Sequence, residues 1–405
     1  MLGVDTWGVS VQHFGIMQRT GWTNKAFHKA LAQPQSAAGK TYNTLSRSWV
    51  DQLSWGIDWA LAALPATHPL RVAVEADFRD MQVYSVSGPK PATEGFHELP
   101  AAKWKEQIRT VGGSKVTLDE RGAIVSLIDR TGVQWADGPL ALLRYQSVTD
   151  SQFEHEMRDS YLMQHNQSGD AVSGSNEYGK PSQDQVAHPL AQLVAPTLKS
   201  VWQKGPKEAA ELWLEMVFSK QLHTDYGCPS SAWLRLSFGA RSTNLTLELY
   251  NKTATRLGEA GWFTFAPRVT SFEVDKLGDW TNPLDVVEGG AKSLHGLTDG
   301  VRATLEAKRR LYVRSLDSGV VRFDAPMPVP TPIFRQPDIA QGMSFGLFMN
   351  TWCGHTAPLP TTTQQPSTYA VRSCISQEHQ LRILVALRRG AGSDCSHDRL
   401  FEIPL

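Results

Sequence analysis

Four small groups of residues have the types and spacing from which chemistry can be built. Glu154, His155, Glu156 and Asp159 fall in one short run. On a helix, His155 and Asp159 would stand one turn apart and could share a metal ion or a proton; an exposed polar helix face accounts for the same run. Cys353 and His355, then Cys395 and His397, repeat a Cys-x-His pair. Four such ligands could make a tetrahedral zinc site, but the usual site leaves two to four residues between paired ligands, and lone cysteines are commonly buried as small apolar residues. No metal ligands are assigned. Lys252, Arg256 and Glu259 share a segment after a strong strand pattern. They would either project from a loop towards a ligand or form a surface ion-pair network, although exposed pairs rarely add more than ~1 kcal/mol. Asn350 and Trp352 lie in a C-terminal strand pattern, where Trp352 is either a stacking platform or core.

Several chemistries lack their residues. Gly112-Gly113 and Gly289-Gly290 are too short for a phosphate loop, and no Gly-x-Ser-x-Gly nucleophile elbow occurs. Glycoside hydrolysis needs two carboxylates roughly 5–9 Å apart, and no compact cluster announces them. Lys308-Arg309-Arg310 and Arg388-Arg389 are brief and lack interleaved aromatics, so no nucleic-acid partner is expected.

The elements that would position these residues are mainly β. Residues 46–64 read as a helix, with Trp49, Leu53, Ile57, Ala60, Leu61 and Leu64 on one face and Pro65 as a stop. Trp55 and Trp59 add a second apolar face, so this helix is expected to be packed from both sides. Thr23 and Asn24 can cap a helix carrying Phe27 and Leu31. From about residue 113 onwards, apolar and polar residues alternate. Lys115–Leu118 and Ala123–Leu127 flank Asp119-Glu120-Arg121-Gly122 as a hairpin; Leu212–Phe218, Leu234–Phe238 and Leu245–Leu249 read as strands. Residues 164–188 are polar and read as a long loop, and Pro326, Pro328, Pro330, Pro332 and Pro337 suit an edge or linker.

The chain has 405 residues, long enough for two or three domains, with 40 basic and 40 acidic side chains, so no global field draws it to an anionic surface. Thirteen tryptophans can fill cores or stack on sugars. Four cysteines are too few for a disulfide scaffold. No signal peptide stands at Met1–Ser10, and no apolar run reaches the ~18 residues needed to span a bilayer, so a soluble, cytoplasmic chain without a membrane partner is expected. Sequons at Asn166, Asn244 and Asn251 are read as chance.

Several segments in order resemble the C-terminal half of a glycoside hydrolase family 38-like group, DUF5054. They are Asp5-Thr6-Trp7-Gly8, Ser48-Trp49-Val50-Asp51-Gln52, Ala62-Ala63-Leu64-Pro65, Tyr178-Gly179-Lys180-Pro181 and the run Asn251 to Ala260. Asp275-Lys276-Leu277-Gly278, Pro283-Leu284-Asp285-Val286-Val287 with Leu294-His295-Gly296, and Phe348-Met349-Asn350-Thr351-Trp352 follow. The resemblance implies a helical segment (1–85), a linker (86–110), a large antiparallel β-supersandwich (111–358) similar to the C-terminal part of α-mannosidases, and a divergent tail (359–405) that either stands apart or completes the sandwich. It also implies that a divalent metal and the nucleophile belong to an upstream β/α domain not seen in this sequence. Val4 and Asp5 stand where that group tends to carry Glu-His, which puts intact catalysis in doubt. The resemblance would place a sugar contact at Asp5 and Trp7, the first hydrogen bonding and the second stacking, although helix capping by Asp5 with Trp7 in the core explains both.

The resulting expectation is a glycoside-hydrolase-like, carbohydrate-related protein, catalytically incomplete, with Asp5, Trp7, Lys252, Arg256, Asn350 and Trp352 as ligand contacts. The alternatives are a non-catalytic glycan-binding module, or an interaction protein that docks another chain on its helical segment.

Overall fold

The computed structural model describes residues 23–40, 55–80, 89–328, 335–350 and 378–388, apart from breaks at 38, 137, 157–182, 206, 240–241 and 307–308. The chain is mainly β, with two large antiparallel sheets. The larger runs β1 (His97–Glu98), β7 (Thr197–Lys204), β8 (Glu211–Val217), β9 (Ser231–Phe238), β10 (Ser242–Tyr250), β19 (Glu378–Arg388), β16 (Arg310–Ser315), β15 (Gly300–Thr304), β12 (Ser271–Lys276) and β13 (Asp279–Thr281). The smaller runs β14 (Leu294–Gly296), β17 (Val320–Phe323), β18 (Met343–Asn350), β11 (Gly258–Phe265), β5 (Leu142–Val148) and β6 (Gln192–Val194). A third sheet, β2 (Ile108–Arg109), β3 (Lys115–Leu118) and β4 (Ile124–Ile128), adds to the same core.

Period-2 alternation places one face of each large sheet in that core. Leu212, Leu214 and Met216 of β8, Leu234 and Leu236 of β9, and Leu245, Leu247 and Leu249 of β10 meet Leu143 and Tyr145 of β5, Phe263 and Phe265 of β11, and Phe345 of β18. Beyond Asn350 the chain returns as β19, which pairs with β10 from Ser242↔Ala386 to Tyr250↔Glu378 and with β16 on its other side. The expected hairpin is present as β3 and β4, its turn closed by Gly122 at φ 80°, a conformation glycine adopts without strain.

The smaller sheet departs from simple alternation. Every residue of β11 and of β18 is buried, so both faces of these strands are covered. On the face turned from the main core, Ala260 and Trp262 pack with Val320 and Met349. A strand buried on both faces reads as a nearly continuous apolar run.

Among the helices, α1 (Asn24–Leu31) is capped by the Thr23 hydroxyl, which accepts from the Ala26 N–H. Residues 55–62 form α2 and Pro69–Asp80 form α3. The expectation that the first of these is packed from both sides is corrected: Trp55 is 47% and Trp59 68% exposed. Their rings stack on each other at 6.0 Å, so the indoles shield one another instead of a core doing so. Residues 46–54 of that expected helix lie outside the described residues. No described helix is long and apolar enough to cross a membrane.

The core predicts a steep response to truncation. Phe345 is fully buried and packs edge-on against Phe265. Phe345→Ala is expected to destabilise the protein by about 3–5 kcal/mol in urea unfolding, against well under 1 kcal/mol for an exposed substitution.

Candidate functional site

The best-defined polar cluster sits where β10 hands the chain to β11. Tyr250 ends β10, and Asn251 turns the backbone with φ 55°. The strand that follows must begin with glycine, because a Cβ on Gly258 would lie 2.9 Å from both the Phe153 ring and the Val148 carbonyl. Gln183 fastens this junction: its amide donates to the Val148 carbonyl and its oxygen accepts from the Gly258 N–H.

At this junction Lys252 and Glu259 are buried together. Lys252 Nζ stands 2.7 Å from Glu259 Oε1, donates to the Thr253 carbonyl at 2.6 Å and lies 5.3 Å over the Phe348 ring. The Tyr145 hydroxyl reaches Glu259 Oε2 at 2.6 Å and stands 3.0 Å from the Tyr226 carbonyl. It has one hydrogen, and the carboxylate is the stronger acceptor. Burial first, and the Glu259 charge second, push the Tyr145 phenol well above its ordinary pKa, so it stays protonated and donating. Buried Cys228 lies alongside, its thiol raised by burial and so held inert.

Asn350, opposite Glu259 in the β18 register, donates from Nδ2 to the carbonyls of Thr255 and Leu257 and so holds the loop. Arg256 within that loop is fully buried. The Thr255 hydroxyl donates to Asn24 Oδ1 at 2.5 Å, tying the loop to α1. Asn24 Nδ2 reaches the Thr224 carbonyl on the helix Lys220–Tyr226.

Of the residues expected from sequence, Lys252 and Asn350 come together around Glu259, and Arg256 is buried in the same loop. The reading of Lys252, Arg256 and Glu259 as a surface ion-pair network is corrected: they are 8%, 0% and 1% exposed. The loop is tied to α1 through Thr255 and Asn24, and the Lys252 and Glu259 charges face each other and not solvent. Asp5, Trp7 and Trp352 lie outside the described residues, as do Asp159 and the Cys353, His355, Cys395 and His397 set. His155 is exposed on the helix Asp150–Glu156. Sequence reasoning missed Tyr145 and Thr255. Tyr145 sits in an ordinary apolar strand pattern, and nothing local marks it as a partner of Glu259.

The cluster can orient and support; its described contacts contain one carboxylate, engaged by an ammonium and a phenol. Among the described residues no three His, Cys, Asp or Glu come together as a metal site would need.

A family described as "Domain of unknown function (DUF5054)" matches residues 2–246. No curated protein matches the chain. Among solved structures, a galactose mutarotase-like protein from Lactobacillus casei ATCC 334 is similar at 10% identity, covering 70% of this chain and 99% of its own, with a TM-score of 0.32. A galactose mutarotase-like protein from Clostridium acetobutylicum (11% identity, 73% and 98% covered, TM-score 0.34) and a putative mutarotase, YeaD, from Salmonella typhimurium (11%, 78% and 100%, 0.32) are similar to the same degree. At these TM-scores the likeness carries no argument about activity.

A buried histidine gives the structure a pH signature. His295 on β14 is 6% exposed, donates from Nε2 to the Lys292 carbonyl 2.9 Å away and packs edge-on against Phe323. Burial, more than nearby Lys276, lowers its pKa from the ordinary 6.5. Folding therefore favours the neutral ring, and the unfolded chain binds more protons once the pH falls below 6.5. Stability from this residue is full above that pH and declines below it. Chemical unfolding across acidic pH is expected to show this loss, and His295→Gln to flatten it.

Proposed function

The chain belongs to the DUF5054 family, and from that premise we propose that it is a glycoside-hydrolase-like, carbohydrate-related protein whose described sheets form the supporting side of a sugar site. In this reading the sheets correspond to the β-supersandwich of α-mannosidase-like enzymes, and the described residues supply no catalytic pair. The observation that carries it is the buried Lys252–Glu259–Tyr145 cluster under the 252–259 loop. A hydrolase needs two carboxylates with room for a substrate between them, one of them able to give up a proton. Glu259 instead is held between an ammonium and a phenol, the arrangement of a mount that fixes a loop. The 252–259 loop, with Arg256 and Asn350, then acts by position. The divalent metal that the resemblance implies finds no fit among the described residues, and no step is assigned to it.

A second reading, a non-catalytic glycan-binding module, is favoured by the outer face of the larger sheet. Trp202, Trp213 and Trp233 stand on neighbouring strands there, Trp202 and Trp233 half-buried, beside Glu211, Glu215 and Arg235. Arg235 stacks 5.3 Å over Trp213 and pairs with Glu211. Indole faces and carboxylate acceptors are what a pyranose ring offers surfaces to.

Both readings meet in one experiment. Intrinsic tryptophan fluorescence of the purified chain is titrated with a panel of neutral and acidic sugars, and an aryl α-mannoside is incubated with it alongside a divalent cation. Saturable quenching by at least one sugar without turnover is expected. Hydrolysis would overturn the supporting role, and a flat titration across the panel would overturn the carbohydrate reading.

A further inference from the structure

Strand register lays out the outer face of the larger sheet as a grid of side chains. In one row Trp202 of β7 lies opposite Trp213 of β8, and Trp213 opposite Arg235 of β9. In the next row Ser200 lies opposite Glu215, Glu215 opposite Trp233, and Trp233 opposite Glu248 of β10. On the other side Lys204 lies opposite Glu211. Trp202 and Trp233 are thus two strands and one row apart. With strands ~4.8 Å apart and same-face residues ~6.8 Å apart along a strand, about 12 Å separates their backbones.

The tryptophans of this grid differ from the others described. Trp104, Trp135 and Trp262 are buried, Trp55 and Trp59 stack on each other, and Arg302 covers the Trp280 ring at 3.6 Å. Trp213 is buried too, beneath Arg235 and beside Phe96 and Trp233, and serves as a foundation. Trp202 and Trp233 remain half open. The Trp202 indole donates to the Ser200 hydroxyl at 3.0 Å, which fixes the ring, and among the described residues no cation or second ring covers it. Trp233 meets Trp213 at 71°, so the two rings do not cover each other face to face. Around these indoles, Lys199 and the Ser200 hydroxyl hold Glu215, Lys204 and Arg235 hold Glu211, and Arg235 also faces Glu94. These charges cancel. Glu98 and Glu248 at the margins add only negative charge, so a polyanion gains no attraction here. The Lys199, Lys204 and Glu94 side chains are open to solvent, so a ligand reaches this face without needing a cavity.

A neutral, polyhydroxylated ligand matches these surroundings. Its hydroxyls donate to carboxylates and accept from ammonium and guanidinium groups, while the C–H face of a pyranose ring stacks on an indole. A single ring cannot touch both half-open indoles across about 12 Å; a chain of rings can, and two contacts on one chain reinforce each other. We propose that this face binds a neutral glycan chain of at least three rings, stacked near its ends on Trp202 and Trp233 and hydrogen-bonded between them by Glu211, Glu215 and Arg235. This inference rests on the glycan-binding reading above and deepens it by committing to a chain in place of a single sugar.

Isothermal titration of the full chain tests this with gluco- and manno-oligosaccharides of one, three and six rings, and with oligogalacturonate as the acidic counterpart. In at least one neutral series, affinity is expected to rise about tenfold or more from one ring to three, with oligogalacturonate weaker at equal length. Trp202→Ala and Trp233→Ala are each expected to remove most of that gain, while Trp280→Ala leaves it unchanged. Should either alanine variant fail to fold, Trp202→Leu and Trp233→Leu carry the test, since they keep apolar bulk and lose the flat ring. Binding that is equal for one ring and three, and indifferent to both tryptophans, would overturn the chain site and leave the carbohydrate reading standing. Tighter binding of oligogalacturonate would overturn the neutral ligand. No saturable heat with any saccharide would overturn this inference and the carbohydrate reading together. Dimerisation in light scattering that Trp202→Ala abolishes, without saccharide binding, would assign the face to a second copy of the chain and overturn the proposal.

Discussion

A lysine and a glutamate buried against each other at the start of β11 are the constraint on which the surrounding architecture depends. Neither charge can be left alone: removing one partner of a buried pair strands the other and typically costs 3–5 kcal/mol. The chain therefore has to deliver Tyr145 from β5, Asn350 from β18 and the Tyr226 carbonyl from the end of a helix to the same few ångströms. Asn24 then reaches in from α1 through Thr255. A loop that would otherwise wander between two long strands is fixed from four directions.

The smaller sheet sets the terms for this. Because β11 and β18 are buried on both faces, each polar atom placed on them must be answered from within the protein. Gln146 does so for the Trp262 indole, accepting at 2.8 Å while donating to the Pro326 carbonyl. Lys252 and Glu259 answer each other.

The one-sided parts of the fold were legible. Strands β8, β9 and β10 alternate cleanly because one face meets the core and the other meets charged and aromatic neighbours, and the β3–β4 hairpin announces itself through Asp119 to Gly122. Strands buried on both sides gave no such rhythm. β19, which sits between β10 and β16, falls in what reads as a divergent tail. The site was half legible: Lys252, Arg256 and Glu259 are close in sequence and their types are visible, but their burial is not. Tyr145 lies 114 positions from Glu259, a distance no local pattern bridges. The paired indoles of Trp55 and Trp59 misled for the converse reason, since helical periodicity counts apolar residues without showing which of them stack on each other.

A double-mutant cycle on Lys252 and Glu259 tests this account most directly. Stabilities of the native chain, Lys252→Met, Glu259→Gln and the double variant are measured by urea unfolding. If the pair is the mutual anchor described, each single change costs several kcal/mol and the double change costs less than their sum by more than about 1 kcal/mol. Single effects that add to within about 0.5 kcal/mol would mean that the two charges do not depend on each other, contradicting the account.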